Sequence, residues 1–173
     1  MMQEKIKIKA VSVEELDYIK NISLENKSYK DKSYWDLCAK RLESGDLSAF
    51  VAYHEDAEYP VAYGFLNWKP KYRVYEQLGI PEIQDLNVLP DFRRQGIATK
   101  LIHTCEESAR KKGHTDIGIS FGLTREYGHA QRLYISLGFV PDGFGVTYDR
   151  EYVTHGQLRA VDDDLCLMLV KSL

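Results

Sequence analysis

The sequence has few cysteines and no long apolar run. Its three cysteines, Cys38, Cys105 and Cys166, lie far apart and form no C-x-x-C pair. This pattern is typical of buried free thiols in a reducing compartment and excludes a disulfide-rich secreted scaffold. No segment approaches the roughly 20 apolar residues of a membrane span, and the N-terminal MMQEKIKIKA lacks the apolar stretch of a signal peptide. We therefore expect a cytoplasmic protein that does not contact a membrane.

The chain also has no large excess of either positive or negative charge. The 23 basic and 26 acidic residues leave a net charge of -3, which argues against a protein that coats nucleic acid, so no nucleic-acid partner is expected. The five histidines have no zinc-like spacing, and no metal is expected. The chain lacks the G-x-x-x-x-G-K-[ST] loop of Walker-type nucleotide sites. The GFGVTY stretch (143–148) lacks the third glycine of a dinucleotide motif, and we interpret it as a turn.

What is present points to one mixed α/β domain over residues 1–173, since no repeat or linker interrupts the chain. The KIKIKA stretch (5–10) alternates like a half-buried strand, and two β-rich runs follow at 47–53 and 61–68. Residues 82–88, 116–121 and 165–170 predict three further strands. Helices are expected between the first two strands and after the strands at 82–88 and 116–121, an order typical of mixed α/β folds. Residues 68–81 have no clean period and are interpreted as a loop.

Capping residues and apolar stripes locate the predicted helices. Ser12 and Glu15 form a capping-box pattern before the first helix. Ser33 is the expected cap of the second, which ends near Gly45. The third carries an apolar stripe of Ile97, Leu101, Ile102, Cys105 and Ala109. The fourth runs from Tyr127 to a stop at Gly138.

The segment DFRRQGIATKLI (91–102) places Arg93, Arg94 and Gly96 where a strand gives way to an amphipathic helix. A helix N-terminus presents backbone N–H groups without intrahelical partners and a partial positive charge, so it binds phosphates readily. Glycine allows close approach of an anion, and arginine adds charge-assisted donors. Taken alone, the spacing fits solvated arginines beside a turn glycine equally well.

The segment VLPDFRRQGIATKLI resembles the acetyl-CoA signature R/Q-x-x-G-x-G/A of the GCN5-related N-acetyltransferases, the GNAT family. The match is Arg93-x-x-Gly96-x-Ala98. Downstream, AQRLYISLGFVPDG resembles the family's A-x-x-L-Y-x-x-x-G-F segment, and the resemblance is strong over residues 82–142. It implies a GNAT-like fold, with a central, mostly antiparallel twisted sheet of about six or seven strands, splayed in the middle and flanked by about four helices.

The resemblance implies that acetyl-CoA is the acyl donor. Backbone amides of the loop would hold its pyrophosphate, and the preceding strand would pair with the pantetheine arm beside a bulge. The implied cofactor-binding residues are Leu86, Asn87, Val88, Arg93, Arg94, Gln95, Gly96, Ile97, Ala98, Thr99, Tyr127, Ala130 and Tyr134. Arg93 is also expected to order the loop. Tyr127 departs from the family, because many members carry asparagine there, so the asparagine contact is either replaced by a different contact from the tyrosine or absent.

The implied reaction is acyl transfer from a thioester to an amine, which needs a base for the amine and an acid for the departing thiolate. Tyr134 matches the family's acid, although a core aromatic on a helix stripe would occupy the same position. Glu82 matches a catalytic glutamate of some members, and Asp85 is the second candidate base. Both also fit surface charges at a strand start or edge, and a water chain could replace either.

The acceptor is expected to be a small-molecule or peptide amine held by aromatic and acidic side chains. The residues expected to contact it are Tyr34, Trp35, Trp68, Tyr72 and Asp149, with Tyr75 and Tyr148 nearby in the sequence. Packing explains most of these aromatics equally well. A homodimer is also expected, since family members are often dimers. The alternatives to an N-acetyltransferase are a degenerate CoA-binding or ligand-binding sensor and an interaction domain without a cofactor.

Overall fold

Strands and helices alternate along the described part of the chain. The computed structural model describes residues 5–173 and contains, over that range, eight strands and five helices. The strands are β1 (Ile6–Val11), β2 (Leu47–His54), β3 (Ala62–Asn67), β4 (Glu82–Val88), β5 (Asp116–Gly122), β6 (Val140–Tyr148), β7 (Glu151–Tyr152) and β8 (Leu165–Ser172). The helices are α1 (Leu16–Glu25), α2 (Lys32–Ser44), α3 (Arg73–Leu78), α4 (Ile97–Lys111) and α5 (Gly128–Ser136). The mixed α/β class is confirmed.

Two short elements exceed the predicted number. Helix α3 lies inside residues 68–81, which were predicted to be a loop. Its six residues are fewer than the 11–18-residue window over which helical periodicity shows, so no clean period was visible. Strand β7 has only two residues and carries no alternating pattern for the same reason.

The chain divides into two compact units. The first holds the described residues up to Trp68 together with Ile83–Glu107, and the second holds Lys69–Glu82 and Ser108–Leu173. The strand order is β1-β2-β3-β4 in the first unit and β5-β8-β6-β7 in the second. The pairs β1 with β2, β2 with β3, β5 with β8, β6 with β7 and β6 with β8 are all antiparallel. A single domain over the whole chain stays a prediction.

The first unit packs α1 and α2 against antiparallel strands. β1 pairs with β2, and β2 with β3, with Val51 opposite Tyr63. The apolar face of α1 joins this core, whose buried members are Val11, Leu16, Ile19, Ile22, Cys38, Leu47, Ala49, Val51, Tyr63 and Phe65. The predicted capping box has its reciprocal bond, because the Ser12 N–H donates to Glu15 Oε2 at 3.2 Å. It caps a 3-10 turn (Val13–Glu15) that leads into α1.

Helix α2 begins earlier than predicted. Its N-cap is Asp31, not Ser33, and the Tyr34 N–H donates to Asp31 Oδ1 at 2.9 Å. Ser33 lies in the first turn, where its hydroxyl donates to the same oxygen at 2.8 Å. Aspartate and serine are both good caps two positions apart, so the pattern alone does not choose between them. The end of the helix agrees with the prediction, with Gly45 left-handed at φ 77°.

The second unit builds its core from the segment that had no clean period. Tyr72, Val74, Tyr75 and Ile80 cluster with Met168 of β8. The Tyr75 ring lies against the backbone of β5, where a Cβ at Gly118 would come within 2.3 Å of the ring. Its hydroxyl donates to the Leu169 carbonyl. Glycine at position 118 is therefore what allows α3 to pack closely on the sheet.

The interpretation of residues 143–148 as a turn is wrong. They belong to β6, whose Val146, Thr147 and Tyr148 pair with β8. The register shifts between Pro141 and Val146, so the four intervening residues bulge out of the ladder. Gly143 and Gly145 lie in this bulge with φ of 88° and 82°. The two glycines thus mark a bulge rather than a chain reversal.

Candidate functional site

The segment between β4 and α4 has the backbone of an anion-binding loop. A 3-10 turn (Pro90–Phe92) follows β4, and Arg94 and Gly96 are both left-handed, with φ of 62° and 81°. The first intrahelical bond runs from the Lys100 N–H to the Gly96 carbonyl at 3.0 Å. The N–H groups of residues 96–99 therefore have no intrahelical acceptor, which is the arrangement that phosphates use at helix N-termini.

The two arginines of this loop differ in their contacts. The Arg93 side chain donates from Nε to the Val88 carbonyl at 3.0 Å and from Nη2 to Asn26 Oδ1 at 2.9 Å. It thereby ties the loop to the end of β4 and to the end of α1. Arg94 is exposed, and no residue in the range 5–173 pairs with it. The backbone N–H groups of residues 96–99 and the Arg94 guanidinium are all hydrogen-bond donors, and such donors suit the oxygens of a pyrophosphate.

The backbone of strand β4 departs from the extended conformation at its centre. Asp85 is left-handed with φ 50°, the backbone feature of a bulged strand, at the place where a bulge is expected. Leu86, Asn87 and Val88, the residues predicted to pair with pantetheine, follow it and are half-buried. The Asn87 amide donates to the Tyr63 hydroxyl at 3.1 Å, so its side chain turns back into the first unit.

Asp85 and Tyr34 meet in the first unit, although 51 positions separate them. The Tyr34 hydroxyl donates to Asp85 Oδ2, and Lys30 Nζ lies 3.8 Å from Oδ1. Burial, followed by the negative charge of Asp85, raises the pKa of the Tyr34 phenol. Tyr34 is thus a fixed donor to a carboxylate whose side chain is 28% exposed. The sequence offered no signal for the role of Lys30.

Trp35, another residue expected to contact the acceptor, lies beside Tyr34. Its ring meets the Tyr34 ring edge-on, with centroids 5.0 Å apart, and it packs against the core of the first unit. The Trp68 side chain is also hydrogen-bonded within that unit, since its Nε1 donates to Ser48 Oγ at 2.9 Å.

Glu82 is fully buried at the start of β4. Arg150 Nη2 lies 2.8 Å from Glu82 Oε1, an ion pair within the second unit. Asp149 and Arg150 form the two-residue turn between β6 and β7, and both are left-handed, with φ of 46° and 69°. That is the backbone of a type I′ hairpin, which usually carries asparagine and glycine. Sequence reasoning missed Arg150 for this reason.

Asp149, which was expected to contact the acceptor, forms an exposed ion pair with Lys71. Its Oδ2 lies 3.1 Å from Lys71 Nζ, with both side chains about two-thirds exposed. Tyr72 is almost completely buried and donates to Asp142 Oδ2 at 2.6 Å. The Tyr148 hydroxyl donates to Asp162 Oδ2 at 2.7 Å. These hydroxyls and carboxylates therefore have protein partners of their own in the second unit.

Tyr134 lies on α5, buried near Phe139, with ring centroids 6.4 Å apart. Burial raises the pKa of its phenol to about 12, and like any tyrosine with a pKa of about 10 or more the hydroxyl is protonated at neutral pH. Ala130, one turn earlier, is half-buried. A buried, neutral phenol has the protonation state that a proton donor needs.

Tyr127, where many family members carry asparagine, is engaged within the second unit. Its hydroxyl donates to Asp163 Oδ1 at 2.9 Å. Its ring covers Gly122 so closely that a Cβ there would come within 2.5 Å. The Tyr127 side chain is therefore fixed by contacts within the second unit.

The thiols, the possible metal ligands and the helix lengths complete the description of the residues that the structure describes. The three cysteines are buried and free, as predicted. Within residues 5–173, no cluster of histidine, cysteine or carboxylate side chains is arranged to hold a metal ion. Over the same residues, no helix is both long enough and apolar enough to span a bilayer.

The family model "Acetyltransferase (GNAT) domain" matches residues 45–141. A search of curated protein sequences finds no match.

Several solved structures have a similar fold. The Salmonella typhimurium protein yncA, solved with its cofactor acetyl-CoA, has a TM-score of 0.67 at 14% identity, covering 98% of this chain and 94% of that chain. Ribosomal-protein-alanine N-acetyltransferase from Brucella melitensis has a TM-score of 0.68 at 17% identity, covering 96% and 99%. An Arabidopsis thaliana protein in complex with the bisubstrate analogue CoA-Ac-MVNAL has a TM-score of 0.66 at 16% identity, covering 98% and 100%. Identities this low establish the fold alone.

Proposed function

Because the chain belongs to the GNAT acetyltransferase family, we propose that it transfers an acetyl group from acetyl-CoA to a primary amine of a small molecule or peptide. The observation that carries this proposal is the loop after β4, where left-handed Arg94 and Gly96 lead into helix α4. Two proteins of similar fold were solved with acetyl-CoA or with a CoA-containing bisubstrate analogue, which supports this donor and a direct transfer between two bound substrates.

The loop residues would hold the donor. The amides of residues 94–99 and the Arg94 guanidinium would bind the pyrophosphate, while Arg93 keeps the loop in place through Val88 and Asn26. The backbone of Leu86–Val88 would pair with the pantetheine amides. The Tyr127 hydroxyl is hydrogen-bonded to Asp163. Backbone contacts, and not the Tyr127 side chain, would therefore bind the cofactor near this residue.

Asp85 is the general base that we propose. Its carboxylate is partly exposed and held by the Tyr34 hydroxyl, whereas Glu82 is fully buried against Arg150. A base must reach the amine or a water beside it. Left-handed backbone in mid-strand is also the kind of local strain that collects at functional sites. Glu82 then contributes to structure rather than to proton transfer.

Tyr134 is the general acid. The amine nitrogen attacks the thioester carbonyl carbon, the bond from that carbon to sulfur breaks, and the amine proton passes to Asp85 directly or through water. The Tyr134 hydroxyl protonates the departing thiolate, and exchange with solvent returns both groups to their starting states. The phenol holds this proton at neutral pH, since its pKa lies at about 12.

The test has two arms. Acetyl-CoA should raise the melting temperature of the full chain by mass action, and an assay of CoA release against amines, polyamines, aminoglycosides, amino acids and peptides should find an accepted acceptor. Binding without release from any of these would favour the sensor. No thermal shift would favour an interaction domain and overturn the proposal.

A further inference from the structure

The N-terminal turn of α2 holds the side chain of the proposed base. Asp31 caps this helix by accepting from the Tyr34 N–H at 2.9 Å, which fixes the backbone of Tyr34. The Trp35 ring meets the Tyr34 ring edge-on, with centroids 5.0 Å apart. With its backbone and ring both held, Tyr34 donates from its hydroxyl to Asp85 Oδ2. All four residues belong to the first unit.

The backbone of Asp85 makes this contact important. In an extended strand, the alternation of side chains decides on which face each side chain lies. Asp85 is left-handed, with φ of 50°, and departs from that pattern. Its carbonyl accepts from the Asn87 side-chain amide at 3.2 Å, which holds the main chain at this point but not the carboxylate. The orientation of the carboxylate is therefore set by the side chains that contact it.

The two oxygens of the Asp85 carboxylate have different surroundings. Oδ2 accepts from the Tyr34 hydroxyl. Lys30 Nζ lies 3.8 Å from Oδ1, which is beyond the distance of a hydrogen bond. No N–H or O–H group of residues 5–173 donates to Oδ1. Oδ1 therefore keeps the lone pairs with which a carboxylate can take a proton.

Tyr34 itself is a hydrogen-bond donor to the carboxylate and not a base. A phenol keeps its proton at neutral pH, and burial, followed by the charge of Asp85, raises the pKa of Tyr34 further. The hydroxyl thus donates while Oδ2 accepts. A donor in a fixed place restricts rotation of the carboxylate, and a catalytic group held in one orientation reacts faster than one that rotates freely.

We propose that Tyr34 is a positioning residue for acetyl transfer, because its hydroxyl fixes Oδ2 of Asp85 and thereby orients Oδ1 toward the amine. This inference rests on the proposed function, with Asp85 as the base. A proton of the attacking nitrogen passes to Oδ1, directly or through water, as the bond from the thioester carbon to sulfur breaks. The hydrogen bond from Tyr34 to Oδ2 is kept, and Tyr34 neither gains nor loses a proton.

The direction of the change in kcat separates positioning from an effect on basicity. A hydrogen bond to an ionised carboxylate weakens it as a base, so removing the donor makes the carboxylate a stronger base. If Tyr34 acted only in this way, Tyr34→Phe would raise kcat or leave it unchanged. Loss of orientation lowers kcat instead. We expect a fall of about tenfold, the value of one charge-assisted hydrogen bond, with KM for the acceptor and Kd for acetyl-CoA unchanged.

The experiment is a double-mutant cycle on the full chain. The value of kcat is measured for the wild type, Tyr34→Phe, Asp85→Asn and the combined variant, with an acceptor that releases CoA with the wild type. Tyr34→Phe should cost about tenfold in the wild-type background and less than about twofold in the Asp85→Asn background. Tyr53→Phe removes a phenol hydroxyl from β2 of the same unit and should leave kcat unchanged. Melting temperatures verify that each variant is folded.

Equal falls of kcat in the two backgrounds would show that Tyr34 acts on the fold and not through Asp85, which overturns the inference and leaves acetyl transfer intact. An unchanged or raised kcat in Tyr34→Phe would do the same. Full activity of Asp85→Asn would assign the base elsewhere and remove the positioning role of Tyr34 with it. If the wild type releases no CoA with any acceptor, the proposed function itself fails, and that outcome is separate from the other three.

Discussion

Arg150 Nη2 lies 2.8 Å from Oε1 of Glu82, a carboxylate with no solvent exposure. The arginine reaches it from a two-residue turn in which both Asp149 and Arg150 are left-handed. Two non-glycine residues in this conformation cost free energy, and the ion pair with a buried charge is what offsets that cost. The hairpin conformation and the burial of Glu82 are therefore coupled.

Removing the guanidinium should destabilise the fold. Arg150→Met leaves the Glu82 carboxylate buried without its cation, and we expect a loss of about 3 kcal/mol in the free energy of unfolding, measured by urea denaturation at neutral pH. Lys71→Met, which removes the exposed ion pair with Asp149 on the same hairpin, should cost less than about 1 kcal/mol. Adding Glu82→Gln to Arg150→Met should recover part of the loss. Equal losses in the two single variants would refute the coupling.

Replacing Gly96 should weaken acetyl-CoA binding more than it lowers the stability of the fold. Its φ is 81°, and a Cβ built there meets no atom of residues 5–173 within 4 Å. Gly96→Ala should therefore cost only about 1–2 kcal/mol of backbone strain, while the new methyl group blocks close approach of the phosphates. We expect the Kd for acetyl-CoA, measured by calorimetry, to rise about tenfold or more.

Gly45 supplies the matched control for this prediction. It is left-handed at φ 77°, and a Cβ there also meets nothing within 4 Å in the described chain. Gly45→Ala should show a similar loss of stability with unchanged acetyl-CoA affinity. A similar fall in affinity for both variants would trace the effect to general destabilisation and exclude a pyrophosphate role for the loop.

Replacing Asp85 tests the assignment of the base. Asp85→Asn keeps a residue that tolerates φ of 50° and removes the proton acceptor. The value of kcat should fall about 100-fold, while the Kd for acetyl-CoA stays the same. Glu82→Gln should reduce kcat far less. The reverse order, with Glu82→Gln the more damaging, would assign the base to Glu82.

Tyr134→Phe tests the acid in two measurements. The value of kcat should fall by about tenfold or more with unchanged acetyl-CoA binding. Burial raises the pKa of Tyr134 to about 12, above the value of about 10 in an unfolded chain. Stability from this group is therefore complete below pH 10 and is lost as the pH rises toward 12, by up to about 1.4 kcal/mol per pH unit. In Tyr134→Phe the free energy of unfolding should fall less steeply between pH 10 and pH 12. If neither this pH dependence nor kcat changes, Tyr134 is not the general acid.

The predictable part of the fold is its local part. The apolar stripe of α4 is buried at all five predicted positions, because 3.6-residue periodicity places them on one face. The left-handed Gly45 followed from the same kind of short-range rule. The predicted alternation of β1 holds from Ile6 to Lys9 and fails at Ala10, which is exposed. Where two residues satisfied a rule equally, as Asp31 and Ser33 did at the start of α2, the sequence left the choice open.

The sequence by itself determined the family signature, the order of the main elements and the turn at Arg94 and Gly96 that leads into α4, because each depends on neighbours within a few positions. Only the tertiary structure decided which side chains meet. Tyr34 meets Asp85 across 51 positions, Arg150 meets Glu82, and Tyr72 meets Asp142 across 70 positions. Such pairings are set by strand register, by the bulge of β6 and by the packing of a six-residue helix, and no short-range pattern encodes them.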